Sequence, residues 1–237
     1  MRRAIPAVLL LLCAALLLGQ FHPYPGPGVR KKAAGGCTTP TGTLLTESFG
    51  DDATSCWDTG PNSCIGTWTA TAGVPAIAAS LGSPPTNTAC ANSLRVNFSG
   101  DEISLYKTVT STAAFNVVFS VYVDSYTIAD GSQSKILTVE GSADTVTQVR
   151  LTRSGSQLQL LAAGGNDSSP INISIDTWHV VTLHLDATLA NSSIQVDSGT
   201  PETFTRNNYS TTSVWVSAAN LYLTGGIDYY IGNVWAQ

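Results

Sequence analysis

One alternating run of apolar residues constrains the fold more than any other feature of this sequence. Every second residue from Phe115 to Val123 is a phenylalanine or a valine; the positions between them include Ser120 and Tyr122, and Asp124 follows the run. A period of two puts alternate side chains on opposite sides of a β-strand. Five large apolar side chains on one side therefore predict a core strand, each contributing roughly 1.5–3 kcal/mol on burial.

Shorter segments of the same kind predict that most of the chain is β-structure. We predict further strands over residues 43–49, 66–71, 93–98, 103–107, 135–140, 147–153, 157–162, 178–186, 193–197 and 220–236. A three-residue hairpin loop, Ser154-Gly155-Ser156, joins two of them. Prolines and small residues from Gly73 to Asn92 predict a long loop. The pattern favours an all-β fold, an antiparallel sandwich of two sheets.

The N-terminus has the features of an export signal. Met1-Arg2-Arg3 is basic, and Ala4 to Leu18 is apolar but short for a spanning helix. We expect a signal helix over residues 1–20, with an uncleaved anchor as the alternative. An extended Pro/Gly-rich linker would follow over 21–36, and one domain over 37–237. The predicted location is secreted, or extracellular, with no membrane contact after cleavage.

The composition agrees with one extracellular domain and argues against a nucleic-acid partner. Of the 237 residues, 43% are hydrophobic, which is enough for a substantial core, and only 11% are charged. The formal charge is −5, so the chain offers no basic stripe to neutralise phosphates.

Four cysteines beyond the apolar leader predict two disulfides. Turn-forming residues between Cys56 and Cys64 favour that pair, which leaves Cys37 with Cys90, although three pairings are formally open. A zinc site is disfavoured because the spacings match no zinc pattern. Five N-x-Ser/Thr sequons predict surface glycans if the source cell uses them, at Asn97, Asn166, Asn172, Asn191 and Asn208.

The order of elements resembles the concanavalin A-like, or laminin-G-like, jelly-roll superfamily. The resemblance rests on the core strand, on the hairpin from Val149 to Leu160, on the segments 177–183 and 194–199, and on the last strand from Tyr229 to Val234. It implies a jelly-roll sandwich. Lectins, adhesion modules, glycoside hydrolases and polysaccharide lyases share this superfamily, so the resemblance implies no single activity.

No cluster of residues meets the standard of a catalytic signature. Glycoside hydrolases of this superfamily carry paired carboxylates on one strand, and the nearest approach, Glu140 to Asp144, lies at a strand end with the wrong spacing. His179 and His184 are five residues apart, so a strand would direct them to opposite sides and prevent joint metal binding. We expect His179 to be a core or edge residue. An enzyme would need scattered residues, as in lyases that use Arg, His and Tyr.

Polar and aromatic residues opposite the apolar runs suggest a sugar site, with an ordinary solvated sheet face as the alternative. The candidates for carbohydrate binding are Tyr122, Gln148, Arg150, Gln159, Trp178 and His184. No cofactor is expected. Calcium is the alternative, since Asp124, Asp130 and Asp228 lie near predicted turns, although the spacing is not that of a calcium loop.

The first hypothesis is therefore a secreted non-catalytic domain that binds carbohydrate or a cell-surface partner. The second hypothesis is a structural subunit of an extracellular filament or surface assembly, formed by self-assembly through strand edges. A polysaccharide-cleaving enzyme is third.

Overall fold

The computed structural model describes residues 44–49, 68–72, 76–79, 92–98, 103–220 and 226–237. These residues form fifteen β-strands and no α-helix. The strands are β1 Leu45–Ser48, β2 Thr69–Ala72, β3 Ala76–Ala79, β4 Asn92–Phe98, β5 Ile103–Thr112, β6 Phe115–Tyr126, β7 Gln133–Gly141, β8 Thr145–Ser154, β9 Gln157–Ala163, β10 Ile171–Ile173, β11 Trp178–Leu185, β12 Ser192–Val196, β13 Glu202–Phe204, β14 Thr211–Asn220 and β15 Ile227–Ala236.

The strands form two antiparallel sheets in a jelly-roll sandwich. The eight-stranded sheet has the order β13-β12-β11-β6-β15-β4-β3, with β1 also paired to β15. The seven-stranded sheet has the order β10-β9-β8-β7-β14-β5-β2. The predicted fold class is confirmed.

The core lies between the two sheets. Strand β6, which contains the alternating run from Phe115 to Val123, packs its apolar side against this core as predicted. The apolar side of β6, including Phe119 and Val121, is fully buried. Tyr229 of β15 also points into the core, where its hydroxyl donates to the carbonyl of Ser217 in the other sheet at 2.8 Å. Burial raises the pKa of this phenol far above its usual value.

Arg206 fastens the loops at one end of the sandwich. It is only 3% exposed, and its guanidinium donates to the backbone carbonyls of Asp186, Asn207, Tyr209 and Ala113. Burial lowers its pKa. Peptide carbonyls stabilise this buried cation, and within the described ranges no carboxylate is in hydrogen-bond contact with it.

Several details differ from the sequence-based expectations. The segment from Gly73 to Asn92 contains β3, which pairs with β4, so it is not one continuous loop. The predicted three-residue loop at residues 154–156 is a two-residue turn, because Ser154 pairs with Gln157. Gly155 begins that turn with φ 59°, in the left-handed region where glycine is favoured. Strands β10, β13 and β14 were not predicted.

The predicted signal segment, the predicted linker and the four cysteines predicted to form disulfides, Cys37, Cys56, Cys64 and Cys90, lie outside the described residues. Within the described ranges, no helix is long and apolar enough to cross a membrane.

Candidate functional site

A row of side chains crosses the outward face of the seven-stranded sheet. Tyr106 of β5 pairs with Trp215 of β14, which pairs with Thr138 of β7, which pairs with Gln148 of β8. Their strand neighbours Leu105, Val214 and Val216 are buried in the core, so alternation directs this row outward. The rings of Tyr106 and Trp215 stack with centroids 4.5 Å apart.

A cleft of about 170 Å³ opens beside this row. It is lined by Ser104, Lys135, Thr138, Glu140, Trp215 and Ser217. The indole of Trp215 is fixed by a hydrogen bond from its Nε1 to Ser213 Oγ at 2.9 Å. An aromatic ring beside hydroxyl, ammonium and carboxyl groups is the combination that binds sugars, because the ring packs on apolar C–H faces while polar groups bind the hydroxyls.

Two hydroxyls of the cleft lack partners within the described part of the protein. Thr138 Oγ1 and Ser217 Oγ are buried and make no hydrogen bond there. The carbonyl of Ser217 is held from below by Tyr229. An unpaired buried hydroxyl costs about 1–3 kcal/mol, and most buried polar groups are paired. The hydroxyls of Thr138 and Ser217 therefore lower stability at this cleft, which indicates that the cleft is not optimised for stability.

Glu140 is the carboxyl group of the cleft lining. Thr145 Oγ1 donates to its Oε1 at 3.0 Å. Burial is the main cause that raises the pKa of Glu140; the charge of Asp144 adds to it, while Thr145 and Lys135 oppose it. A carboxyl group with a raised pKa can exchange a proton closer to neutral pH.

Arg150 brings a second cation to the same face. It pairs with Lys135 across β8 and β7, and its Nε and Nη1 donate to Gln148 Oε1 and Gln133 Oε1 at 2.9 and 3.0 Å. Its hydrogen-bond partners among the described residues are thus neutral amides. The two amides hold the guanidinium in place, and no carboxylate of the described residues bonds to it, which suits an anionic ligand.

The structure divides the six predicted sugar-binding residues between two opposite faces. Gln148, Arg150 and Gln159 lie on the seven-stranded sheet, where Gln159 Nε2 donates to Asn172 Oδ1 at 2.8 Å. The other three lie on the outward face of the eight-stranded sheet, and they are Tyr122, Trp178 and His184. The six side chains therefore do not form one site.

The strand-parity argument for the two histidines is confirmed. His179 is buried, with Nδ1 at 2.8 Å from Asp197 Oδ2 and Nε2 at 3.1 Å from the carbonyl of Ser174. His184 lies on the other side of β11, with Nδ1 at 2.7 Å from Asn116 Oδ1. The two imidazoles cannot bind one ion.

The alternative of a calcium site stays a prediction. Asp130 accepts a hydrogen bond from the backbone of Gly155, while Asp228 accepts hydrogen bonds from Arg95 and Asn97. Across the described residues, no three His, Cys, Asp or Glu side chains form a group that could hold a metal ion. The five sequon asparagines are all exposed, and whether they carry glycans also remains a prediction.

The sequence-based reasoning missed most of the cleft. In the sequence, nothing distinguishes Trp215 from a packing residue, and Glu140 has no second carboxylate at the spacing of a hydrolase pair. Lys135, Thr138 and Ser217 were not singled out. The available signal was the alternation from Ser213 to Ser217, in which two valines alternate with Ser, Trp and Ser.

The fold is shared with solved structures of carbohydrate-active proteins. The alginate lyase Aly36B, solved as a mutant in complex with alginate trisaccharide, has a TM-score of 0.56 and 12% sequence identity, and the match covers 82% of this chain and 97% of the lyase. A sialidase has a TM-score of 0.53 and 10% identity over 82% of this chain, which spans only 18% of the sialidase chain. No family model matches the sequence, and no curated protein matches it.

These similarities show a shared jelly-roll sandwich fold; membership of the concanavalin A-like superfamily stays a prediction. They also correct the first functional hypothesis. The preference for a non-catalytic domain is wrong: a polysaccharide-cleaving enzyme matches nearly its whole length to this chain, and the ranking had relied on a missing carboxylate pair that a lyase does not need.

Proposed function

We propose that this protein is a polysaccharide-cleaving enzyme whose substrate lies in the cleft of the seven-stranded sheet. The observation that carries the proposal is the cleft lining itself, where Trp215 and two hydroxyls without a partner among the described residues adjoin Lys135 and Glu140. The fold similarity to an alginate lyase supports the same class. The signal-like N-terminus supports action outside the cell.

The charges of the face favour an acidic polysaccharide. Lys135 and Arg150 supply two cations at this face, beside Glu140 and its neighbour Asp144, although the chain as a whole carries −5. A uronate carboxylate can receive a bidentate guanidinium contact from Arg150. Local attraction of this kind raises the concentration of an anionic polymer at the cleft.

Elimination fits the described groups better than hydrolysis. Hydrolysis of a glycosidic bond generally uses a pair of carboxyl groups, and Glu140 is the single carboxyl among the described lining residues. In elimination, Glu140 accepts the proton at C5 of the uronate, a C4–C5 double bond forms and the C4–O4 bond breaks. Lys135 protonates the departing oxygen, while Arg150 balances the charge that develops on the carboxylate.

The test is turnover of three polyuronates, namely alginate, polygalacturonate and polyglucuronate. Elimination produces one new reducing end and one unsaturated, ultraviolet-absorbing end per cleavage, whereas hydrolysis produces only the reducing end. The Lys135→Gln variant should lose about 10²–10³-fold in kcat/KM. The Trp215→Ala variant should lose activity as well, while Trp178→Ala, the matched tryptophan on the opposite face, should keep it.

Failure of every polyuronate to be cleaved would overturn the proposed function. Equal losses in the Trp215→Ala and Trp178→Ala variants would overturn the choice of face. Reducing ends without ultraviolet absorbance would replace elimination by hydrolysis.

A further inference from the structure

A second row of side chains crosses the eight-stranded sheet on its outward face. Trp178 of β11 pairs with Tyr122 of β6, Tyr122 pairs with Tyr230 of β15, and Tyr230 pairs with Arg95 of β4. We call these four residues the aromatic row. Because neighbouring strands are about 4.8 Å apart, the row spans about 14 Å.

The members of the aromatic row contact one another. The rings of Tyr122 and Trp178 have centroids 5.5 Å apart, and those of Tyr122 and Tyr230 are 6.1 Å apart and nearly perpendicular. The guanidinium of Arg95 lies 5.8 Å from the centre of the Tyr230 ring. Tyr230 is 5% exposed and supports its neighbours, whereas Tyr122 and Trp178 are half-buried and present part of their rings to solvent.

Carboxylates surround this row. Tyr122 donates to Asp176 at 3.4 Å, Asp228 forms a bidentate ion pair with Arg95, and Asp124 shares the outward side of β6. The pKa of Tyr122 is raised, first by burial and then by Asp176 and Asp124. Among the described residues, the three carboxylates around this row stand against one guanidinium, which is itself paired, so the row lies in acidic surroundings.

We propose that the aromatic row is a second polysaccharide-binding surface, selective for a neutral polymer. The extended line of rings suits a linear chain, since successive sugars can pack their C–H faces on Trp178 and Tyr122. The carboxylates accept hydrogen bonds from sugar hydroxyls and repel a polyuronate. This surface is on the side of the sandwich opposite the cleft and does not depend on the activity proposed for the cleft.

The test is native affinity electrophoresis of the full chain through gels that contain soluble β-glucan, xylan, galactomannan or alginate. At least one neutral polymer should retard the protein. Any retardation by alginate, which we place in the cleft, should be the same in the Trp178→Ala variant. The Trp178→Ala and Tyr122→Ala variants should each weaken retardation by the neutral polymer about tenfold. Tyr122→Phe keeps the ring and should retain most of the binding, which separates loss of the surface from loss of the fold.

Trp215→Ala serves as the matched control, because it changes a tryptophan on the other face. It should leave retardation by the neutral polymer unchanged. Absence of retardation by all three neutral polymers would overturn the proposal, as would Trp178→Ala binding as well as the unaltered protein. Neither result would bear on polyuronate turnover, so the two proposals fail separately.

Discussion

The hydroxyl of Thr138 allows a substitution whose effects on stability and activity should have opposite signs. Thr138 is 4% exposed, and its Oγ1 has no hydrogen-bond partner among the described residues. Thr138→Val replaces that hydroxyl with a methyl group of similar size. Removing an unpaired buried hydroxyl relieves part of a cost of about 1–3 kcal/mol, so we expect the free energy of unfolding to rise by about 1 kcal/mol.

Thr152→Val is the matched control. Thr152 also lies on the seven-stranded sheet and is buried, but its Oγ1 donates to the carbonyl of Ser132 at 3.0 Å. The same chemical change there removes a satisfied hydrogen bond and should lower the free energy of unfolding by about 1 kcal/mol. For a chain of this size each kcal/mol corresponds to about 2–4 °C in Tm. Calorimetry should therefore show Tm shifts of opposite sign.

The second measurement on the two variants is the rate at which each cleaves the polyuronate. If the hydroxyl binds substrate, Thr138→Val should lower kcat/KM for the cleaved polyuronate about tenfold, equivalent to about 1.4 kcal/mol of lost transition-state stabilisation. Thr152→Val should leave turnover within about twofold. Equal destabilisation by the two substitutions would refute the reasoning, since it would mean that the Thr138 hydroxyl is satisfied in the folded protein.

Three further predictions concern other parts of the sandwich. Because burial raises the pKa of Glu140, its stabilising contribution is present in acid and is lost as pH rises through that pKa. Thermal melts at a series of pH values should show the unaltered protein losing stability relative to Glu140→Gln as pH rises through that pKa, and turnover should rise over the same pH range as Glu140 ionises. A difference in Tm between the two proteins that does not change with pH would contradict the raised pKa of Glu140. Arg206→Lys should lower the free energy of unfolding by about 3 kcal/mol in urea titrations, because a lysine cannot reach four carbonyls. Arg153→Lys, at a half-buried site, should cost under about 1 kcal/mol. Equal losses of stability in the two variants would show that the carbonyl contacts of Arg206 contribute no more than those of an ordinary arginine. Gly164→Ala should destabilise by about 2 kcal/mol, since its Cβ would lie 2.6 Å from a backbone carbonyl, whereas at Gly165 the nearest atom is 3.4 Å away; equal melting temperatures would show that the backbone yields.

The sequence predicted the sandwich because its strands carry a strong period of two. The run from Phe115 to Val123 and the segment at Trp178 were both strands, and parity correctly separated His179 from His184. These conclusions depend only on local alternation, which fixes the side of a strand on which each residue lies.

The candidate site could not be predicted in the same way, because alternation does not say which sheet a strand joins. Tyr122 and Gln148 each alternate with apolar residues along their own strand. They nevertheless belong to different sheets and face away from each other. The cleft combines β5, β7 and β14, which are far apart in the chain. Its most informative feature is that the hydroxyls of Thr138 and Ser217 have no hydrogen-bond partner in the part of the chain that the structure describes. This depends on tertiary packing, which no sequence pattern encodes.

The row of side chains beside the cleft and the aromatic row lie on opposite sides of the sandwich, whose two sheets are about 10 Å apart. A single polymer chain cannot contact both without bending around an edge strand, so simultaneous occupancy would join two separate polymers through one protein molecule. Attachment to an abundant neutral polymer would then raise the effective concentration of the cleft near any acidic chain interleaved with it. Such a molecule would work best in a mixed, intertwined matrix and would lose that advantage on a purified acidic polymer in dilute solution.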